Sequence, residues 1–473
     1  MGALLQPAPD VLKIQLERAV ASRRSRSLAT SISRFTLGLG ALLFALGCGN
    51  SYRPVVTAIN PVGPAGQPQK YAVAISRPSG GGNGLLTIVD FSGDSILINA
   101  TLGVAPYYLA LSNTGTTGYT LNGDGTVNSF GVSNQLLSNQ ILQTTLIPST
   151  PLPNSIFPNG TTVYITEPGR TAPGQSFVAQ LQNSPPTLRQ ELPVGPNVVY
   201  IAGIPGALRL YAISQNAGGS GEVTPIETAT NTVDSAIPVG VLPVYGVMTA
   251  DGRRAFIMNQ GSNTVSVINA QTNTLDLSAS VPAGTIAVGT APVWADLAPT
   301  RTELVVANAG TGGGRGSLSV INIPLCSAVA LPSNPNCDAT NPVDAAGFGQ
   351  VLATVPVGVS PGVVSVLQDG TRAYVANFGD NVACATLPTA AIAPTRGCGT
   401  VSVVNLTTNT VTATIPVAGH PTFLVSTTGT PTGKVYVTST ETSLMTILRT
   451  DIDEVETYVD LQGSGGQVRV TAQ

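Results

Sequence analysis

Asp369-Gly370-Thr371-Arg372-Ala373-Tyr374-Val375-Ala376-Asn377, then Gly399-Thr400-Val401-Ser402-Val403-Val404-Asn405, Thr408-Asn409-Thr410 and Ile415-Pro416-Val417-Ala418-Gly419 make up the stretch that decides the fold. Apolar and polar side chains alternate along each run, the pattern of a half-buried strand. The breaks between runs are Asp-Gly, Thr-Asn-Thr and Pro-Val-Ala-Gly, which are turn chemistries. The same order recurs from Asp251-Gly252-Arg253-Arg254-Ala255-Phe256-Ile257-Met258-Asn259 through Thr264-Val265-Ser266-Val267-Ile268-Asn269 and Thr272-Asn273-Thr274 to Val281-Pro282-Ala283-Gly284. Fainter copies of its second strand lie at residues 71–76, 118–122, 162–166, 210–214, 304–308 and 435–438, which brings the count to eight.

Prolines open successive units at Pro106, Pro153, Pro196, Pro243, Pro292, Pro361 and Pro421, at intervals of 47, 43, 47, 49, 69 and 60 residues. A unit of about 45 residues with four short antiparallel strands, repeated along the chain, predicts an all-β propeller. Eight blades follow from the repeat count, with seven as the alternative if one faint unit merges with its neighbour. The first unit starts at its second strand and the chain ends on a spare one, residues 466–471, so the C-terminal strand is expected to complete the first blade and close the ring. The two long intervals contain all four internal cysteines, which places insertions around residues 324–350 and 378–398. The run Arg372-Ala373-Tyr374-Val375-Ala376-Asn377, followed by Thr-Val-Ser-Val and Thr-Asn-Thr, resembles the YVTN-repeat family of bacterial exported propellers. The resemblance covers residues 70–473 and is sharpest in the fifth and seventh units.

Composition narrows the class further. The 473 residues include 52 Gly and 36 Pro, too many for long helices, and only 10% are charged, so Ser, Thr, Asn and Gln must hydrate the surface. With 21 basic against 24 acidic residues there is no field to attract nucleic acid. The charge is unevenly placed: Lys13, Arg18, Arg23, Arg24, Arg26 and Arg34 precede an apolar run at residues 35–47, and the rest of the chain is acidic. That run is too short to span a bilayer but suits a signal-peptide core, so residues 1–47 are read as an export signal. It ends in Ala45-Leu46-Gly47-Cys48, which resembles the lipobox of bacterial lipoproteins and makes Cys48 the expected lipidation site; plain secretion by cleavage after Gly47 is the alternative. The proline-rich residues 48–69 then read as a tether, and the expected location is the outer membrane, periplasm or cell surface. Cys326, Cys337, Cys384 and Cys398 are expected as disulfides, most locally Cys326 with Cys337 and Cys384 with Cys398, since their spacings do not match structural zinc knuckles.

Chemistry is sparse. His420, the one histidine, lies between an outer strand and the next inner strand, where propellers hold ligands at the channel mouth. It is the candidate ligand contact or general base, against a plain loop residue, because Ala105, Leu242, Ala291 and Ser360 stand at the matching positions. Asn122-Gly123-Asp124-Gly125, Asp251-Gly252 and Asp369-Gly370 are read as hairpin turns rather than calcium loops, and the acidic run Asp451 to Glu456 as a solvated connection. The glycine-rich residues 80–84 and 311–316 lack the Lys-Ser/Thr of a phosphate loop. Trp294 is assigned to core packing. No metal or other cofactor is expected. The functional expectation is a noncatalytic scaffold at the cell envelope, displaying loops to a protein or glycan partner. The alternatives are a structural envelope protein, or an enzyme of the lactonase or quinoprotein and reductase kind with its site in the central channel.

Overall fold

The structure, a computed structural model, describes residues 71–145, 151–171, 174–183, 186–277, 281, 283–298, 300–324, 347–384, 387–388, 397–427 and 433–471. Strand follows strand in antiparallel order, and the strands sort into eight separate sheets. Seven run in chain order from an inner strand outward. These inner strands are Pro106–Leu111, Ile156–Asn159, Val198–Ala202, Pro243–Met248, Pro292–Ala298, Pro361–Val366 and Phe423–Ser426, belonging to blades 2 to 8. Blade 1 is built differently. Its second, third and outer strands are Tyr71–Arg77, Asn83–Asp90 and Ile96–Val104, but its inner strand is Ser464–Val470, from the far end of the sequence. Ala72 pairs with Val470 and Ala74 with Val468, and Tyr71 and Thr471 exchange hydrogen bonds beyond the last pair.

Each inner strand touches the next around a full circle, and Ser464–Val470 lies between those of blades 8 and 2. This is an eight-bladed β-propeller closed by the C-terminal strand, the first of the two blade counts the repeats allowed. Apolar side chains fill the spaces between blades: Val401, Tyr436 and Ile447 belong to one such layer, and Val305, Val320 and Val375 to another.

Three repeated contacts explain why the sequence motif has the residues it has. First, the glycine at the second position of the third strand seats the proline of the next blade. A Cβ on Gly84, Gly221, Gly316 or Gly399 would overlap the ring of Pro106, Pro243, Pro361 or Pro421. Second, the motif tyrosine latches onto the left-handed residue of the next blade's turn. Tyr164 donates to Asn231 at 2.7 Å, Tyr211 to Asn273 at 3.0 Å and Tyr374 to Asp453 at 2.6 Å. Third, the buried asparagine that ends the second strand donates to Ser and Thr on the third: Asn259 to Thr264 and Ser266, Asn377 to Thr400 and Ser402.

The exceptions follow the same logic. Blade 5 has Phe256 in place of tyrosine, because blade 6 carries an insertion where the Thr-Asn-Thr turn would be; Phe256 instead stacks on Phe348, with ring centroids 6.4 Å apart. The insertions leave opposite ends of the barrel of blades. The one in blade 6 joins the third strand, Arg315–Asn322, to the outer strand, Val351–Val359, whereas the one in blade 7 joins the second, Arg372–Val382, to the third, Cys398–Asn405.

Candidate functional site

The connections between second and third strands share one face with those leading to the next inner strand. Gly261 N–H donates to Val241, Ala309 to Ala291 and Phe378 to Ser360 across it. On the way into the inner strand the chain turns through the left-handed region, with φ of 49° at Ala105, 50° at Leu242, 56° at Ala291 and 47° at Ser360. Non-glycine residues pay about 1–2 kcal/mol for that conformation. Before blade 8 the turn is taken one residue earlier by Gly419, at φ 69°, and His420 is thereby directed inward. It is 2% exposed.

His420 Nδ1 lies 2.5 Å from Oε2 of Glu441, an N–H donating to a carboxylate, and its ring centroid is 5.8 Å from that of Phe378. Glu441 stands three residues after Thr438, as Ser262 and Asp380 stand after Asn259 and Asn377. Those two accept the backbone N–H of Val241 at 3.2 Å and of Val359 at 2.8 Å. The His420–Glu441 pair is therefore the side-chain form of a clamp that other blades make with backbone. An imidazole held by a carboxylate is also the orientation a general base needs. Burial keeps this one away from solvent.

Beside it, Cys384 and Cys398 form a disulfide, as the spacing predicted, and Gly419 N–H points at Cys398 Sγ from 3.4 Å. The bridge clips the blade 7 insertion at its base, and Phe378 and Val382 stand out from the same hairpin with 38% and 37% of their surface exposed. Cys48, Cys326 and Cys337 lie outside the described residues. The Asp-Gly pairs are turns: Asp251 accepts from Arg253 N–H and Thr249, Asp369 from Thr371 N–H, and the following glycines have φ of 69°. The acidic run is more than a solvated connection, since Asp453 receives both Tyr374 and Arg372 of the neighbouring blade. On the opposite face, an open cleft of about 470 Å³ lies between blades 4 and 5, lined by Ile204, Leu208, Arg209, Asp251 and Arg253.

The inner strands carry an aromatic cluster of which the sequence singles out only Trp294. Tyr200, Tyr245, Trp294 and Phe423, from four inner strands, make one chain of ring contacts with centroid separations of 4.7, 3.9 and 5.8 Å. The guanidinium of Arg469, on the closing strand, lies 4.3 Å from the Phe423 centroid. Trp294 packs against three apolar layers, in keeping with a packing role. Burial drives the Tyr200 and Tyr245 hydroxyls far above their ordinary range, so both stay neutral. One turn of the pleat below Trp294, Asp296 accepts the N–H of Val366 and of Leu297, each at 2.8 Å. Burial pushes its carboxyl up to about 6, with the two hydrogen bonds opposing. The spacing Pro-x-aromatic in Pro243-Val244-Tyr245, Pro292-Val293-Trp294 and Pro421-Thr422-Phe423 was the available signal for this cluster. Among the described residues, no three His, Cys, Asp or Glu side chains stand close enough together to hold a metal ion.

No protein-family model and no curated protein matches the chain. Solved structures do. Dihydro-heme d1 dehydrogenase NirN is 12% identical, over 85% of this chain and 75% of its own, with a TM-score of 0.57. AztD of Citrobacter koseri is 11% identical, over 86% and 98%, at 0.49, and hydrazine synthase of Kuenenia stuttgartiensis is 17% identical, over 63% and 77%, at 0.44. At these identities the likeness is one of fold: the class defined so far is the β-propeller.

Proposed function

We propose that the chain is an exported, lipid-tethered, noncatalytic propeller of the YVTN-repeat kind that holds binding loops rigid at the cell envelope for a protein or glycan partner. The observation that carries this reading is the blade 7 hairpin, clipped by Cys384–Cys398 and presenting Phe378 and Val382 on the face where blade connections gather. A disulfide is at home in an oxidising compartment, in keeping with the leader and Cys48. Loops already fixed by a closed ring lose little freedom on binding.

The test is capture from envelope extracts by immobilised protein, compared with Phe378→Ser and with the double variant Cys384→Ser, Cys398→Ser. One species should be retained by the parent chain and lost from both variants; equal capture by all three ends the proposal. Cys48→Ala should move the protein from the membrane to the soluble fraction, and its retention there would remove the lipid tether from the account.

A second reading has one observation in its favour. Asp296, on an inner strand, has its carboxyl pushed up to about 6 by burial, the kind of perturbed group that marks enzyme sites. NirN, which shares the fold, is a dehydrogenase by name. Hydrolysis of a simple lactone that disappears in Asp296→Ala would favour this reading over display.

A further inference from the structure

The first and last blades meet at a seam with its own chemistry. Lys434 opens the second strand of blade 8, Lys434–Thr438, and Asp94 sits in the turn between the third and outer strands of blade 1. Lys434 Nζ is 2.6 Å from Asp94 Oδ2 and donates to the Phe91 carbonyl at 2.9 Å. Glu456 Oε2 is 3.6 Å from the same nitrogen. Lys434 is 6% exposed, the Asp94 side chain 9%, and the Phe91 ring lies 5.2 Å from the ammonium. Asp94 Oδ1 is buried and accepts no hydrogen bond.

In the other blades that open the second strand with a cation the residue is arginine: Arg209, Arg254 and Arg372. The contact equivalent to Lys434 with Asp94 is Arg372 with Asp453, at 2.8 Å. A guanidinium is always charged and is no nucleophile, whereas a lysine amine can lose its proton and attack a carbonyl. The exchange of arginine for lysine falls at the joint where the ring has no peptide continuity between neighbouring blades other than through the closing strand.

We propose that Lys434 and Asp94 condense to an intramolecular isopeptide bond that seals this seam covalently, with Glu456 relaying the proton. The ammonium proton passes to the Asp94 carboxylate, which leaves a neutral amine beside a neutral acid. Nζ then forms a bond to Cγ; its remaining surplus proton goes to Glu456, which hands it to the departing hydroxyl as the C–O bond breaks. One water leaves, nothing is oxidised or reduced, and Glu456 ends as it began. Burial supports the first step by pushing the Asp94 carboxyl up to about 6, despite the neighbouring lysine. The product also relieves a cost, because a neutral amide replaces two buried charges.

The measurement is mass spectrometry of the folded, disulfide-reduced chain and of its tryptic digest. The expected result is a loss of one water, mapped to a branched peptide that joins Lys434 to Asp94. Asp94→Asn should form the same link with loss of ammonia, and Lys434→Arg should form none. Glu456→Gln should fold, by circular dichroism and monodisperse elution, yet remain unlinked. A parent chain of full mass, or a missing water that maps to another residue, overturns the proposal; undiminished linkage in Glu456→Gln overturns the relay.

Discussion

Asp296 shows how a single side chain in the channel sets a condition on the whole protein. Its carboxyl, ordinarily near 3.8, is pushed up to about 6 in the folded chain because burial penalises the charged form. Between those two values the folded state binds more protons than the unfolded state, so this residue's contribution to stability is greatest below about 4, falls as pH rises through the window, and is level above 6. Asp296→Asn should remove roughly 2–3 kcal/mol of the fall in unfolding free energy, measured by urea denaturation, between pH 4 and 7. An unchanged slope in the variant would mean that Asp296 titrates normally. Asp94 would add to the same slope only as a free carboxyl, so a condensed seam leaves Asp296 as the main source. His420 teaches a different lesson at this scale. Its uniqueness in the sequence drew attention to it, but the shift of the left-handed turn to Gly419 is what buries it against Glu441.

Between strands, the repeat is a set of contacts from each blade to the next. Gly316 illustrates the tightest of them: a methyl group there would overlap both Pro361 and the Asn308 carbonyl oxygen, which belong to rigid backbone and ring. Gly316→Ala should cost about 2–3 kcal/mol in chemical denaturation, as expected of overpacking where neighbours cannot yield. Tyr211→Phe removes only the 3.0 Å bond to Asn273 and should cost about 1 kcal/mol. Equal costs for the two variants would show that the latch and the seat are not the distinct contacts described above. The motif letters were legible in the sequence as strand and turn signals. That the tyrosine and the Thr-Asn-Thr turn recognise each other across a blade boundary was not, because the partners are separated by 62 to 79 residues and alternation along a strand says nothing about which blade lies opposite.

At the scale of the ring, closure rests on contacts between segments far apart in the sequence. Ser464–Val470 pairs with Tyr71–Arg77, Lys434 reaches Asp94, and Arg469 caps the aromatic chain in the channel. A chain ending at residue 462 would leave the inner edge of blade 1 unpaired, and unpaired edges recruit other strands. Such a truncation should elute as aggregate instead of monomer in size-exclusion chromatography; a well-behaved monomer would show that the closing strand is dispensable. Phe378, Val382 and the Cys384–Cys398 clip are carried by this ring as a fixed platform, which is the physical basis of the display reading.

Local pattern was enough to specify the all-β class, the eight units, the split first blade and the Cys384–Cys398 bridge, since period-two alternation, turn dipeptides and short loop closures are properties of adjacent residues. The depth of His420, the aromatic chain through the channel, the elevated Asp296 carboxyl and the Lys434–Asp94–Glu456 cluster were decided only when eight sheets closed into a circle. Each of these depends on which side chains from distant repeats are brought into contact, and that is fixed by packing around the axis.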